Sequence, residues 1–341
     1  MSNITFINVA GFFGSGSSAV VDLLKEFKDF YECDAEIRFV KDPYGISQLE
    51  NALVNQWELV NSAAAIADFR ELCRKGCRPG GKNPFAKAGL AYKKRINPNF
   101  MAIVDQYIDK LTEYQYHGDF YHFKFQKPYL RYVTDRIRFA TELYSKGKLN
   151  AANRNMRPLC FSHPTQEQFN EATQWFFSEL FKQYYKEVDN TYIILDQAVS
   201  PNNPTVIHRY FKNSKMIIVD RDPRDTFINE YNWRTYLDKD YNTKEGGHRY
   251  SLRQRALRSG LINDKDILYI RFEDLIINYK ESKKVIADFL GIPLENHIYP
   301  KRFLKPEVSI KNIGLWKSHY DEFKNLIDTI EIELPDLCYS L

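Results

Sequence analysis

The sequence has no window approaching 18 uninterrupted apolar residues, and its strand-like start lacks a basic region followed by a small-residue cleavage site. The first absence argues against a helical membrane span and the second against a secretory leader, so a cytoplasmic location is expected. Cysteine is sparse. Cys33, Cys73, Cys77, Cys160 and Cys338 are odd in number and scattered through 341 residues, a chain large enough to need no staples, so they read as reduced thiols. Cys73 and Cys77 are four apart, as one helix face would place them, but no Cys or His pair follows at zinc-site spacing, and no metal is expected. No recognisable nucleic-acid-binding module is present either, which argues against a nucleic-acid partner.

What is present is ordinary in bulk and uneven in place. Hydrophobic content of 44% and charged content of 27% are those of a soluble globular protein. The net charge of +4 conceals a segment from Arg70 to Arg157 with 19 Lys and Arg against 7 Asp and Glu. The rest of the chain is therefore acidic. Such a segment suits an acidic partner or a solvated surface.

Buried β-branched runs alternate with helical patterns, which argues for a parallel sheet. Ile4 to Val9 reads as a strand, and Val20, Leu23, Leu24 and Phe27 have helical spacing. Between them lies a glycine and serine loop from Ala10 to Ser18, the layout of a phosphate cradle. Measured against the G-x-x-x-x-G-K-[ST] pattern, the loop supplies Gly11, Gly16 and Ser18 but has Ser17 where the lysine belongs. An ATP or GTP hydrolase would lack its γ-phosphate cation. Thr191 to Leu195 is a further strand, ending in Asp196 and Gln197; Met216 to Val219 is another, and Ile267 to Ile270 another. After Met216 to Val219, Asp222 and Pro223 give a helix start, so Arg221 sits where strand passes into helix, a place suited to holding an anion or to pairing with Asp222 or Asp225.

Tyr31 to Lys41 follows the first helix and is expected to return beside the loop. If it is extended, Glu36 and Arg38 share one side of a strand, either as a base and a cation at one reaction centre or as a surface ion pair. From Asp42 to about Tyr185 the pattern is mainly helical, broken at residues 78–84, 97–98 and 154–164, and reads as a large insertion into a single domain. There His122, Lys124, Lys127, Arg131, Arg136 and Arg138 alternate with Phe and Tyr, which suits an anionic sugar. His163 precedes an amphipathic helix that starts near Gln166 and is either structural or catalytic. Leu275 to Leu290 reads as one helix closed by Gly291 and Pro293.

Four stretches together resemble the sulfotransferase family that uses 3′-phosphoadenosine 5′-phosphosulfate (PAPS). Gly14 to Ser18 resembles its K-S-G-T-T loop, Arg221 to Asp225 its R-N-P-R-D block, Ile270 to Leu275 its V-R-Y-E-D-L, and Asn312 to Lys317 its late x-x-G-x-W-K element. They occur in family order. The resemblance implies a P-loop-type parallel sheet flanked by helices, PAPS as donor without a metal, and transfer of a sulfuryl group to a hydroxyl. It implies that Gly14, Ser15, Gly16, Ser17 and Ser18 cradle the 5′-phosphosulfate, that Arg221 and Asn229 hold the 3′-phosphate, and that Lys311, Asn312 and Gly314 complete the donor site. Gly14 stands where the family has a lysine and Gln197 where related bacterial enzymes often have one, so another cation must act on the leaving group, with Arg38 first in line. Glu36 is the expected base, ahead of His163 and Asp196.

The acceptor is expected to be an anionic or glycan small molecule, a carbohydrate or glycolipid, bound by the insertion. A lipid-linked acceptor would bring peripheral membrane contact. A P-loop kinase, or a protein that holds the nucleotide or a sulfated glycan without chemistry, is the alternative.

Overall fold

The computed structural model describes residues 3–33, 35–80, 88–126, 128–146, 156–184, 190–234 and 240–340. Asp34, Lys127, Tyr185 and parts of two of the anticipated breaks lie outside them. The chain divides into two compact units, one made of Met1–Arg38 with Phe181–Leu341 and the other of Phe39–Leu180.

The first unit is built on five parallel strands. β1 (Asn3–Gly11) lies at the centre, and β2 (Phe30–Glu32), β5 (Asn190–Asp196), β6 (Ser214–Asp220) and β7 (Ile267–Arg271) give the order β2-β5-β1-β6-β7. β1 pairs on one edge with β5, Ile4 opposite Thr191, and on the other with β6, Phe6 opposite Ser214. These strands are apolar in runs because helices cover both faces of a parallel sheet. Ile7 and Val9 of β1 face α1 (Ser17–Leu24), whose Val20, Leu23 and Leu24 are fully buried against Ile217 and Val219 of β6. Each such side chain contributes about 1.5 to 3 kcal/mol. Phe6 points to the opposite face and meets Phe181 and Phe211, with ring centroids 5.9 and 5.3 Å away.

The stretch read as one helix from Leu275 to Leu290 is two. Phe272–Ile277 and Tyr279–Leu290 are separated at Asn278, whose φ of −103° and ψ of 44° depart from helical values. The expected stop is present, with Gly291 in the left-handed region at φ 70°. A second core joins α6 (Pro223–Asn232), α7 (Lys244–Arg258) and α10 (Tyr320–Glu333) around Phe227, Tyr250, Phe323 and Leu326. Phe272–Ile277 and Tyr279–Leu290 are α8 and α9.

The second unit holds α2 (Leu59–Gly76), α3 (Phe100–Leu111), α4 (Tyr129–Lys146) and α5 (Gln166–Leu180). Its interior is aromatic: the ring of Tyr107 stacks on Phe176 at 4.7 Å, Phe39 meets Tyr92 at 5.3 Å, and the Tyr107 hydroxyl lies 2.9 Å from Thr173 Oγ1. The unit also contains an antiparallel ribbon of β3 (Tyr114–Gly118) and β4 (Arg157–Phe161), which the helical reading of this region missed. Cys73 is fully buried, and its thiol is pushed well above its ordinary range by that burial. No helix of the described residues is long and apolar enough to cross a membrane.

Candidate active site

The carboxyl ends of β1, β5, β6 and β7 form the candidate site, because a parallel sheet turns helix N-termini and loop backbones toward that edge. β1 leaves the sheet at Gly11 and reaches α1 through Phe12 to Gly16. Gly14 and Gly16 hold φ of 73° and 85°, which L side chains rarely adopt. At Gly16 a Cβ would also stand 2.5 Å from Cδ2 of Phe272, while at Gly14 the nearest atom to such a Cβ is Asn229 Cβ at 3.5 Å. Gly16 is the N-cap of α1 and offers no side chain to it, so no side chain caps the first turn of α1, whose Ala19 N donates to Gly16 O at 3.0 Å. Ser15 N donates to Phe12 O at 2.8 Å and closes the turn; Ser17 Oγ accepts from Gln197 Nε2 at 2.8 Å.

β6 runs into the Arg221 to Asp225 block, and each of its five residues is occupied. Asp222 is the N-cap of α6 and accepts from Arg224 N at 2.8 Å, while Pro223 takes the first helical position as its ring favours. Arg221 is 2% exposed. It donates from Nη1 to Gly14 O at 3.0 Å and from Nη2 to Asn312 O, with the face of Phe272 4.9 Å away. Burial pulls its pKa below the ordinary arginine value, and Asp225, 4.0 Å away, works against that. Of the acidic neighbours expected of Arg221, Asp225 is thus the one that lies against its guanidinium, beside the glycine loop. Arg221 Nε is buried without a hydrogen-bond partner among the described residues. A buried cation with an unused donor fits an anion such as a phosphate, and the loop's two left-handed glycines fit a backbone cradle.

Asp225 shapes the other wall. It accepts from Gly314 N at 2.7 Å and Trp316 N at 3.1 Å, which fixes the turn between Asn312 and Lys317 around Gly314 at φ 73°. Desolvation raises the pKa of its carboxyl against these donors and Arg221. Arg224 stacks on Trp316 at 4.2 Å and pairs with Asp222 and Glu331, each at 2.5 Å. From the β7 end, Glu273 accepts from Asp222 N at 2.8 Å. Thus Gly14, Arg221, Asn229, Asn312 and Gly314 come together, Asn229 by a long bond from Nδ2 to Gly14 O at 3.5 Å. Lys311 adjoins them and is exposed. Ser18 is exposed at the start of α1.

The segment with Glu36 and Arg38 is not a strand. β2 stops at Glu32, and residues 35–38 run irregularly because Ile37 N turns to the carbonyl of Asp196 at 3.0 Å. That bond ties the segment to the end of β5, one residue from the Gln197 that reaches Ser17. Glu36 and Arg38 pair at 3.0 Å, with side chains 48% and 43% exposed. His163 belongs to the other unit, where it is exposed and its ring lies 4.7 Å from that of Trp57. Of the basic side chains expected around a sugar, Arg131, Arg136 and Arg138 are exposed on α4. Cys33 is buried, which pushes its thiol up to about 12. Outside the site, ligand atoms of His208, Asp264 and Asp266 lie within 4.8 Å of one another. His208 Nε2 and Asp264 Oδ2 are already paired at 3.0 Å.

Reading the sequence left out Phe272, Asp225 and Arg224 as organisers of the site. Asp225 and Arg224 had a signal, since they sit inside the recognised block, but Gly314, Trp316 and Glu331, which they hold, lie some ninety or more residues away. Phe272 had none beyond its place in the Ile270 to Leu275 stretch.

A model of the Sulfotransferase family matches residues 93–296. No match to the chain is found among curated proteins. Among solved structures, the sulfotransferase domain from the Synechococcus PCC 7002 olefin synthase is 14% identical, with 100% of this chain and 96% of that one covered and a TM-score of 0.43. Sulfotransferase STF9 from Mycobacterium avium is 12% identical over 98% and 76% of the two chains, with a TM-score of 0.38. The family match takes in more than half of the chain, including the Arg221 block and the Phe272 stretch that pack together here. The chain belongs to the sulfotransferase family, the enzymes that take their sulfuryl group from PAPS.

Proposed function

We propose that the enzyme transfers the sulfuryl group of PAPS to a hydroxyl of a carbohydrate or glycolipid, with the donor between the Gly14 to Ser18 loop and the Arg221 block. The observation that carries this is the meeting of Gly14, Arg221, Asn229 and Asn312 at one point, with the buried Nε of Arg221 unpartnered. In this reading the loop and the α1 N-terminus take the 5′-phosphosulfate. Arg221 and Asn229 take the 3′-phosphate, with Lys311, Asn312 and Gly314 closing the site. The acceptor oxygen bonds to sulfur as the bond from sulfur to the phosphate oxygen breaks, and adenosine 3′,5′-bisphosphate departs. Charge grows on that departing phosphate, and stabilising it is the main catalytic task.

Gly14 brings no cation to that task. Arg38 is the side chain assigned to it, and Glu36 is assigned the acceptor's proton, because the bond from Ile37 to Asp196 holds their segment at the end of β5, beside Gln197 and Ser17. His163 is the second choice as base. The unit from Phe39 to Leu180, with its basic and aromatic side chains, is assigned the acceptor.

Transfer from PAPS labelled with radioactive sulfur to a panel of mono- and oligosaccharides, glycolipids, phenols and sterols tests the reading. Label on sugars and not on phenols or sterols supports it; label on phenols or sterols alone removes the carbohydrate assignment.

A further inference from the structure

The helix α4 buries none of its residues, although its pattern is amphipathic. Leu130, Ile137 and Tyr144 recur every seventh residue and are 76%, 60% and 94% exposed, and Tyr129 beside them is 82% exposed. Arg131 and Arg138 follow the same interval one position on, and both are exposed. At about 100° per residue these arginines flank the apolar stripe. The short helix just before it, Tyr121–Phe125, repeats the composition: Tyr121 and Phe125 are 71% and 83% exposed, and Lys124 lies 4.7 Å over the Tyr121 ring. Exposed apolar residues scattered singly need no partner, but a stripe along a helix of eighteen residues does.

We propose that α4 docks on the surface of an anionic lipid bilayer. Leu130, Ile137 and Tyr144 would enter the boundary between headgroups and acyl chains, and Arg131 and Arg138 would meet lipid phosphates. Charge complementarity selects this occupant. The helix lies within the stretch from Arg70 to Arg157 that carries 19 basic against 7 acidic residues, so an anionic surface attracts it while a second copy of the same stretch repels it. The seam Leu130, Val133, Ile137, Ala140 and Tyr144 also spans only two heptads, short for a self-paired coiled coil. Tyrosine is suited to the bilayer interface, where its ring is buried and its hydroxyl stays wet. Arginine can lay its stem along apolar surface while its head reaches phosphate. The inference draws on Arg131 and Arg138, which the acceptor assignment also uses, but its test needs neither donor nor acceptor, so either can fail without the other.

Co-sedimentation of the full chain with vesicles tests it, comparing phosphatidylcholine alone with a mixture one-third phosphatidylglycerol, at low and high salt. Wild type is expected to sediment with the anionic vesicles at low salt and to be released by high salt. Arg131→Ala with Arg138→Ala should lower the partition coefficient about twenty-five-fold, at roughly fivefold per basic residue near the surface. Leu130→Ser with Ile137→Ser should lower it about tenfold. Circular dichroism and thermal unfolding should match wild type in both, since all four side chains are exposed. Failure of wild type to sediment with anionic vesicles at low salt overturns the proposal, as does partition equal to wild type in both double variants. So does a solution dimer that Ile137→Ser converts to monomer, which would assign the stripe to a second copy of the chain.

Discussion

Arg221 donates from Nη1 to the carbonyl of Gly14 at 3.0 Å and so joins the end of β6 to the loop that follows β1. The same guanidinium reaches Asn312 O from Nη2. One side chain therefore ties together three of the four stretches that carry the family resemblance, and through the Phe272 ring beneath it the fourth. A ligand contacting Arg221 would report on all of them.

Adenosine 3′,5′-bisphosphate should bind much more tightly than AMP, because only the former offers Arg221 a 3′-phosphate. Charge-assisted hydrogen bonds are worth about 1.5 to 3 kcal/mol. Arg221→Ala should thus lose about tenfold to a hundredfold in bisphosphate affinity and little for AMP, measured by titration calorimetry. Arg221→Lys should fail to restore it, since an ammonium cannot span two carbonyls as the planar fork does. Equal wild-type affinities for the two nucleotides would rule out the donor assignment.

Gly14→Lys should return a cation to the departing phosphate. The backbone there has φ 73°, so the side chain costs about 1 to 2 kcal/mol in strain. Space is available, with Asn229 Cβ at an ordinary 3.5 Å from the added Cβ. Turnover should rise about tenfold while the unfolding midpoint falls, a split that steady-state kinetics and a urea titration would resolve. Turnover no higher than wild type would count against the leaving group as the step short of charge.

Glu36→Gln should depress turnover about 10² to 10⁴-fold with bisphosphate affinity unchanged, the loss expected of a positioned base. Its ion pair with Arg38 is half exposed and worth at most about 1 kcal/mol, so the melting temperature should barely move. Arg38→Ala should also slow turnover. If Glu36→Gln keeps wild-type turnover and His163→Ala abolishes it, the base is His163.

Asp225 should leave a pH signature. Its burial raises the carboxyl above the ordinary 3.8, so the folded state holds this proton more tightly than the unfolded state. The stability it contributes is full below about 3.8 and is lost as pH rises through the raised value. Asp225→Asn lacks this titration. Wild type should therefore exceed the variant in stability by more at acid pH than at neutral pH, as read from urea midpoints at both. A difference that is constant, or that grows toward neutrality, would contradict the assignment.

The sheet was legible because Ile4 to Val9, Thr191 to Leu195 and Met216 to Val219 are apolar runs ended by glycine or charge, and burial on both faces leaves little other choice. The start of α6 was legible because Asp222 and Pro223 act on their own backbone. What escaped depends on distant partners. Tyr114 to Gly118 becomes a strand only against Arg157 to Phe161, and neither segment reads as buried β on its own. The irregular course of Glu36 and Arg38 is likewise set elsewhere, by the bond from Ile37 to Asp196. The roles of Asp225 and Phe272 depend on Gly314, Trp316 and Gly16, which the sequence brings near only after folding.

The order in which the strands pair also has a kinetic side. β1 finds its partners only in β5 and β6, Ile4 with Thr191 and Phe6 with Ser214, whereas Phe39–Leu180 is one continuous stretch with its own aromatic interior. During synthesis the first strand waits, unpaired, for segments made much later, while the intervening stretch can fold as it emerges. Loop-closure entropy favours the same sequence of events in refolding, with the local contacts of 39–180 and the β6 to β7 pairing first and the central strand last. Pulse-labelling hydrogen exchange should show Tyr107 and Phe176 amides protected before those of Ile7 and Val9. The glycine loop after β1 would then be assembled at the end of folding, and a ligand bound there could speed no earlier step than that one.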